Sequence, residues 1–145
     1  MEWIALITWV LTAGGGFLML GLWLKHAGMQ QSEMPGDRIR PPRILSHFAL
    51  AASGLVVWII YLATDSEALA WVALAVLVVV ALLGFSMLAI WIRQRGREPA
   101  VAGTTGPEAR PAEQRFPTPV VALHGVLAAA TLVLVLLVAV GVGGS

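Results

Sequence analysis

Two histidines are the residues of this chain best placed to do chemistry. His47 lies in Pro42–Val56, PRILSHFALAASGLV, and His124 lies in Pro119–Val133, PVVALHGVLAAATLV. Both stretches follow one frame: Pro, four residues, His, two residues, Leu-Ala-Ala, two residues, Leu-Val. A neutral imidazole offers one ring nitrogen as a donor and the other as a lone pair for a proton or a metal. Each histidine sits inside a long apolar run, where an ionisable side chain is costly and normally faces the interior of a helix bundle. Two such side chains at equivalent depth, roughly 7–9 Å inside their helices at about 1.5 Å per residue, can approach one object from opposite sides.

The segments ahead of the two frames match as well, without gaps, at an offset of 68. Trp3-Ile4-Ala5-Leu6 answers Trp71-Val72-Ala73-Leu74. Gly16-Phe17, Met19-Leu20, Trp23 and Lys25 answer Gly84-Phe85, Met87-Leu88, Trp91 and Arg93. Aligned Trp, Phe, Met, Gly, Pro and His point to a duplicated unit rather than to shared apolar composition. Repeat 1 covers about 1–64 and repeat 2 about 68–142, within a single domain.

The elements that carry the histidines follow from composition. With 59% apolar and 12% charged residues, the chain is far from a soluble composition. The apolar residues fall in four blocks, Trp3–Leu24, Ile44–Ala63, Ala68–Ile92 and Val120–Val142, and none contains a charged side chain. Each reaches the roughly 20 residues that a helix needs to cross a bilayer. The expected fold is an all-α, four-transmembrane-helix bundle. Each repeat supplies two spans, so the copies run parallel and are related by a pseudo-twofold axis along the membrane normal.

All nine Lys and Arg residues lie between Lys25 and Arg43 or between Arg93 and Arg115. The other ends of the blocks carry only Glu2, Asp65 and Glu67. The positive-inside rule then places both basic loops in the cytoplasm and both termini outside, in a cell (inner) membrane. The first block reads as a span rather than a signal peptide: it lacks a basic n-region, it is too long, and it has a partner in mid-chain. Trp3 and Trp23 near its ends suit the headgroup zones. Thr64 and Glu67 have capping-box spacing, so the second and third spans are expected as antiparallel neighbours. The loop from about 95 to 117 is rich in Pro, Gly, Ala and Thr and is expected to be mobile.

Axial ligation of a b-type haem needs two neutral imidazoles facing each other across a plane, with no covalent link. His47 and His124 are the expected axial, metal-binding pair. Ala51 and Gly54 follow His47 at helical spacing, and Ala128 and Thr131 follow His124, leaving room beneath each ring for a flat macrocycle. Arg40, Arg43, Arg93 and Arg95 stand at the same membrane face and suit the propionates as cofactor-binding residues. Zinc or copper would ask for further ligands. His26 is on the correct side, but Gln94 takes its place in the second repeat, and it reads as a solvated loop residue. The plainer alternative is that small residues serve helix packing and that each histidine hydrogen-bonds across the bundle.

The absence of cysteine excludes disulfides, thiolate metal sites, cysteine-ligated iron–sulfur clusters, covalent c-type haem attachment and thiol catalysis. No Asp or Glu lies in a span, which argues against a carboxylate-based proton-coupled transporter. No phosphate-binding loop, zinc-protease helix or serine elbow is present, and no catalytic residue is singled out. The basic loops follow from topology and call for no nucleic acid. The arrangement resembles, at the level of fold alone, small four-helix membrane b-type cytochromes. The leading expectation is a haem b protein of electron transfer, in contact with the lipid bilayer and with a quinone or redox partner protein. A cofactor-free accessory subunit of a larger membrane complex and a small transporter with its path along the pseudo-twofold axis are the alternatives.

Overall fold

A computed structural model describes residues 1–26, 28–33, 38–95 and 111–142. Four long helices make up most of it: α1, Glu2–Lys25; α2, Pro41–Thr64; α3, Glu67–Arg95; and α4, Thr118–Ala139. They hold 24, 24, 29 and 22 residues. At ~1.5 Å per residue each is longer than the roughly 30 Å of hydrocarbon in a bilayer. All four are apolar enough to cross a membrane, and the chain is a multi-pass membrane protein. No strand occurs among the described residues.

Local sequence explains the helix ends. Pro41 and Pro42 open α2, and Pro119 lies in the first turn of α4, where a missing N–H and a fixed φ are tolerated. Asp65 ends α2 in the left-handed conformation at φ 51°, its amide bonded to Tyr61 O at 2.8 Å. Ser66 alone then separates it from the first residue of α3. The expected capping box does not form, because the Thr64 hydroxyl turns back to Ile60 O at 2.9 Å. The last helix ends three residues before Val142. Gly141 takes φ 79°, with Gly141 N bonded to Val138 O and Val142 N to Leu137 O. This is a Schellman closure, in which a left-handed glycine satisfies the final carbonyls.

Each helix pairs most closely with one from the other half of the chain. α1 packs along α4 and α2 along α3, while α3–α4 and α1–α2 meet less extensively. The core gathers at the acidic end, around Ala5, Trp9, Trp58, Tyr61, Ala73, Leu77 and Val135. Trp9 and Trp58 have ring centres 6.4 Å apart, and Trp58 and Tyr61 4.7 Å. The Tyr61 hydroxyl donates to Glu2 Oε1 at 2.6 Å, joining the start of α1 to the end of α2. Many large apolar side chains point outward, Val126, Phe85 and Leu82 among them, as lipid-facing helices require.

Two short 3-10 turns close the basic end, Gly28–Glu33 and Ala112–Arg115. The indole of Trp23, expected in the headgroup zone, is fully buried instead, and a Cβ on Gly28 would overlap it. Residues 96–110 of the loop expected to be mobile lie outside the described residues. Its last part packs: Ala112 and Glu113 are buried.

Candidate functional site

His47 and His124 face one another inside the bundle, half-buried, with ring centres 6.4 Å apart and ring planes 56° from parallel. Each is the seventh residue of its helix, so the equal depth comes from the equal distance to a proline-led helix start. Neither ring bonds to its own half of the chain. His47 Nδ1 donates to Val80 O on α3 at 3.0 Å, and His124 Nδ1 donates to Thr12 O on α1 at 2.9 Å. Thr12 and Val80 are 68 positions apart, the offset at which the two first spans match in sequence.

These bonds fix the chemistry of the rings. A carbonyl oxygen only accepts, so Nδ1 must carry the hydrogen in both imidazoles, and Nε2 is left with its lone pair. Among the described residues neither Nε2 makes a hydrogen bond. A metal-ligating histidine commonly shows this pattern: one nitrogen donates to the backbone and the other is kept as the ligand.

The neighbouring helices come close to each ring. A Cβ on Gly84 would stand 3.3 Å from His47 Cε1, and one on Gly16 would stand 3.4 Å from His124 Cε1. Gly15 lies against His124 Cβ and Nδ1 in the same way, at 3.5 Å. Glycine on α1 and α3 therefore admits the imidazole edges of α4 and α2. Sequence spacing showed Gly16 and Gly84 as equivalent positions. It gave no sign of the backbone carbonyls, which carry no side-chain signature.

The space below the rings is more filled than the small residues suggested. Gly54 is buried, but Trp9 Cζ2 and Val76 Cγ1 would each lie 3.1 Å from a Cβ there, so the indole occupies that room. Thr131 is buried and returns its hydroxyl to Leu127 O at 2.8 Å. Ala51 and Ala128, one turn beneath the histidines, remain the small residues next to the pair.

The arginines stand at the basic end, as expected from the chain order. Arg40 precedes α2, Arg43 lies in its first turn and Arg93 in the last turn of α3, all with exposed side chains. Arg95 is engaged: its guanidinium carbon lies 4.4 Å from the Trp91 ring centre, and Nη1 donates to Thr118 Oγ1 at 2.8 Å. His26 is half-buried at the end of α1, donating from Nδ1 to Leu22 O at 2.7 Å, so it caps that helix rather than standing free in solvent.

Above the pair, a polar knot missed by sequence reasoning ties the basic end together. Glu113 Oε1 accepts from Ile39 N at 2.9 Å and from Gln94 Nε2 at 2.7 Å. Trp91 Nε1 donates to Glu113 O at 3.1 Å, and Gln114 Nε2 donates to Gln94 Oε1 at 2.8 Å.

Two imidazoles are too few for a bare structural metal ion, which normally takes four protein ligands. Among the described residues no group of three or more His, Cys, Asp or Glu side chains is placed to hold one. Two imidazole nitrogens suffice only for a group that brings further donors of its own. Compared with protein-family models, curated proteins and solved structures, the chain matches none.

Proposed function

We propose that this chain binds one haem b between His47 and His124 and carries electrons within the membrane. The observation that carries the reading is the geometry of the pair. Both Nδ1–H groups are tied to backbone carbonyls, and the ring centres are 6.4 Å apart. With imidazole–metal bonds of about 2 Å, and each ring centre about 1 Å further on, two ligands on opposite sides of one metal have centres roughly 6 Å apart. The spacing of the two rings suits such a group and supports the reading. When bound, haem iron supplies reversible one-electron transfer at a potential set by its axial ligands and their hydrogen bonds.

The chain's own residues do the rest. Val80 O and Thr12 O hold the imidazoles in the Nδ1–H tautomer and increase their basicity as ligands. Gly15, Gly16 and Gly84 let α1 and α3 close against the ring edges. The tryptophan-filled core at the acidic end keeps water from that side. Arg40, Arg43 and Arg93 supply cations for the propionates at the basic end, which we assign to the cytoplasm from the charge asymmetry.

The paired burial of positions that match in sequence supports a twofold relation between the repeats, and with it the reading. Positions that match in sequence are buried in pairs: Ala5 and Ala73, Trp23 and Trp91, Trp58 and Val135. The two histidine bonds obey the same relation. A quinone or a redox protein is the class of partner such a carrier requires.

A reduced-minus-oxidised visible spectrum of protein purified after haem-replete expression, with a pyridine haemochrome assay, tests this. The expected result is a sharp low-spin b-type spectrum at one haem per chain, abolished or converted to high spin in both His47→Ala and His124→Ala. A colourless wild-type protein overturns it.

A further inference from the structure

We propose that Gly16 and Gly84 are positioning residues, which hold open the two backbone carbonyls that orient His124 and His47. In an α-helix the side chain of residue i leans back over the preceding turn, beside the carbonyl of residue i−4. Four hydroxyls display that relation among the described residues. Thr12 Oγ1 donates to Thr8 O, Ser53 Oγ to Ala49 O, Thr64 Oγ1 to Ile60 O and Thr131 Oγ1 to Leu127 O. The carbonyls that receive the histidines lie at the same step. Thr12 is four residues before Gly16, and Val80 is four residues before Gly84.

At these two positions no side chain stands over the carbonyl, and the imidazole of the facing helix takes the space a hydroxyl would fill. The fit leaves little slack, since an added Cβ would lie 3.3–3.4 Å from Cε1 of the ring it faces. Ring, carbonyl and glycine thus form one unit, and it occurs once for each histidine. Because the Nδ1–H bond determines which nitrogen keeps the lone pair, the glycines control the ligating atom without touching it. The consequence for the cofactor rests on the haem reading, whereas the effect on the rings does not.

Serine is the informative substitution. In Gly84→Ser or Gly16→Ser the new hydroxyl competes for the same carbonyl, as the four native examples do. Alanine crowds the ring without competing and covers the case in which serine prevents folding. Gly14→Ser and Gly21→Ser are the controls, since nothing lies within 4 Å of a Cβ at either place.

The measurement is nitrogen NMR of histidine-labelled protein in nanodiscs, prepared without haem, followed by haem titration and redox potentiometry. The wild type should show the Nδ1–H tautomer at both His47 and His124. Gly84→Ser should disturb His47 alone, Gly16→Ser should disturb His124 alone, and the controls should disturb neither. Haem should then be retained roughly 10–100-fold less tightly in the two serine variants, with a raised midpoint potential as the ligands lose basicity. Tautomers unchanged in all serine and alanine variants, or shifted equally by the controls, overturn the positioning role. If the tautomers respond as expected but wild-type protein takes up no haem, the haem reading falls and the positioning role stands.

Discussion

The Glu113 carboxylate accepts the amide hydrogen of Ile39 at 2.9 Å across a separation of 74 residues, and it is fully buried where it does so. That bond joins the loop before α4 to the entry of α2, with Gln94 of α3 as a third member. Removing the side chain leaves a buried N–H without a partner, at a cost of about 1–3 kcal/mol. Glu113→Ala should therefore lower thermal stability in detergent and speed proteolysis between Arg95 and Thr118. Glu113→Gln, which keeps one acceptor oxygen, should lose distinctly less. Equal behaviour of the two variants would show that the carboxylate bond to Ile39 is not what holds the loop.

Gly54 marks where α2 accepts Trp9. Its Cβ would stand 3.1 Å from both the indole and Val76, so a side chain there makes one of them give way. Gly54→Leu should destabilise the bundle by about 1–3 kcal/mol through overpacking, and Gly54→Ala by less. Gly21→Ala, with open space around it, should be neutral or slightly stabilising through better helix propensity. Unfolding of the three variants in a graded denaturing detergent separates these outcomes.

Tyr61 and Glu2 meet at the acidic end through a 2.6 Å hydrogen bond. A hydrogen bond to a charged group contributes about 1.5–3 kcal/mol when sheltered, and partial exposure here sets the lower part of that range. Tyr61→Phe and Glu2→Gln should each destabilise the protein modestly. In the double variant their effects should fall short of additive, which a double-mutant cycle on thermal unfolding reads directly.

Arg95 rests on the Trp91 ring while bonding Thr118. Being exposed, it should contribute less than about 1 kcal/mol to stability. Arg95→Ala should thus leave unfolding nearly unchanged. If its guanidinium also serves a propionate, the variant should shift the haem midpoint potential downward no more than Arg40→Ala or Arg43→Ala does, since it is already engaged.

The four spans were legible because a bilayer imposes length and excludes charge, and both are visible residue by residue. The histidine pair was legible because the Pro42 frame recurs at Pro119. The pairing of α2 with α3 was legible from their short connection, but the partnership of α1 with α4 was not. A lipid-facing valine such as Val126 and a core valine such as Val135 are chemically identical, so no polar face marks which side of α4 meets α1. Thr64 shows a local limit: its spacing to Glu67 suited a capping box, yet a left-handed Asp65 ended the helix first and the hydroxyl bonded backward. Trp23 was expected at a lipid headgroup, but the turn at Gly28 covers it. Glu113 had no hydrophobic pattern to announce its burial. Only tertiary partners from two distant segments explain it.

The crossed pairing of helices also sets an order on biosynthesis. α2 and α3 are joined by a two-residue connection and can zip together as soon as both have entered the bilayer. α1 has no such option, since its close partner is α4 and the residue that bonds Thr12 lies 112 positions downstream. The earliest helix therefore waits in lipid until α4 has been made, and the two imidazoles first meet when α4 docks. Any group held between them is accordingly acquired no earlier than the docking of α4, by a bundle that closes around it or reopens to admit it.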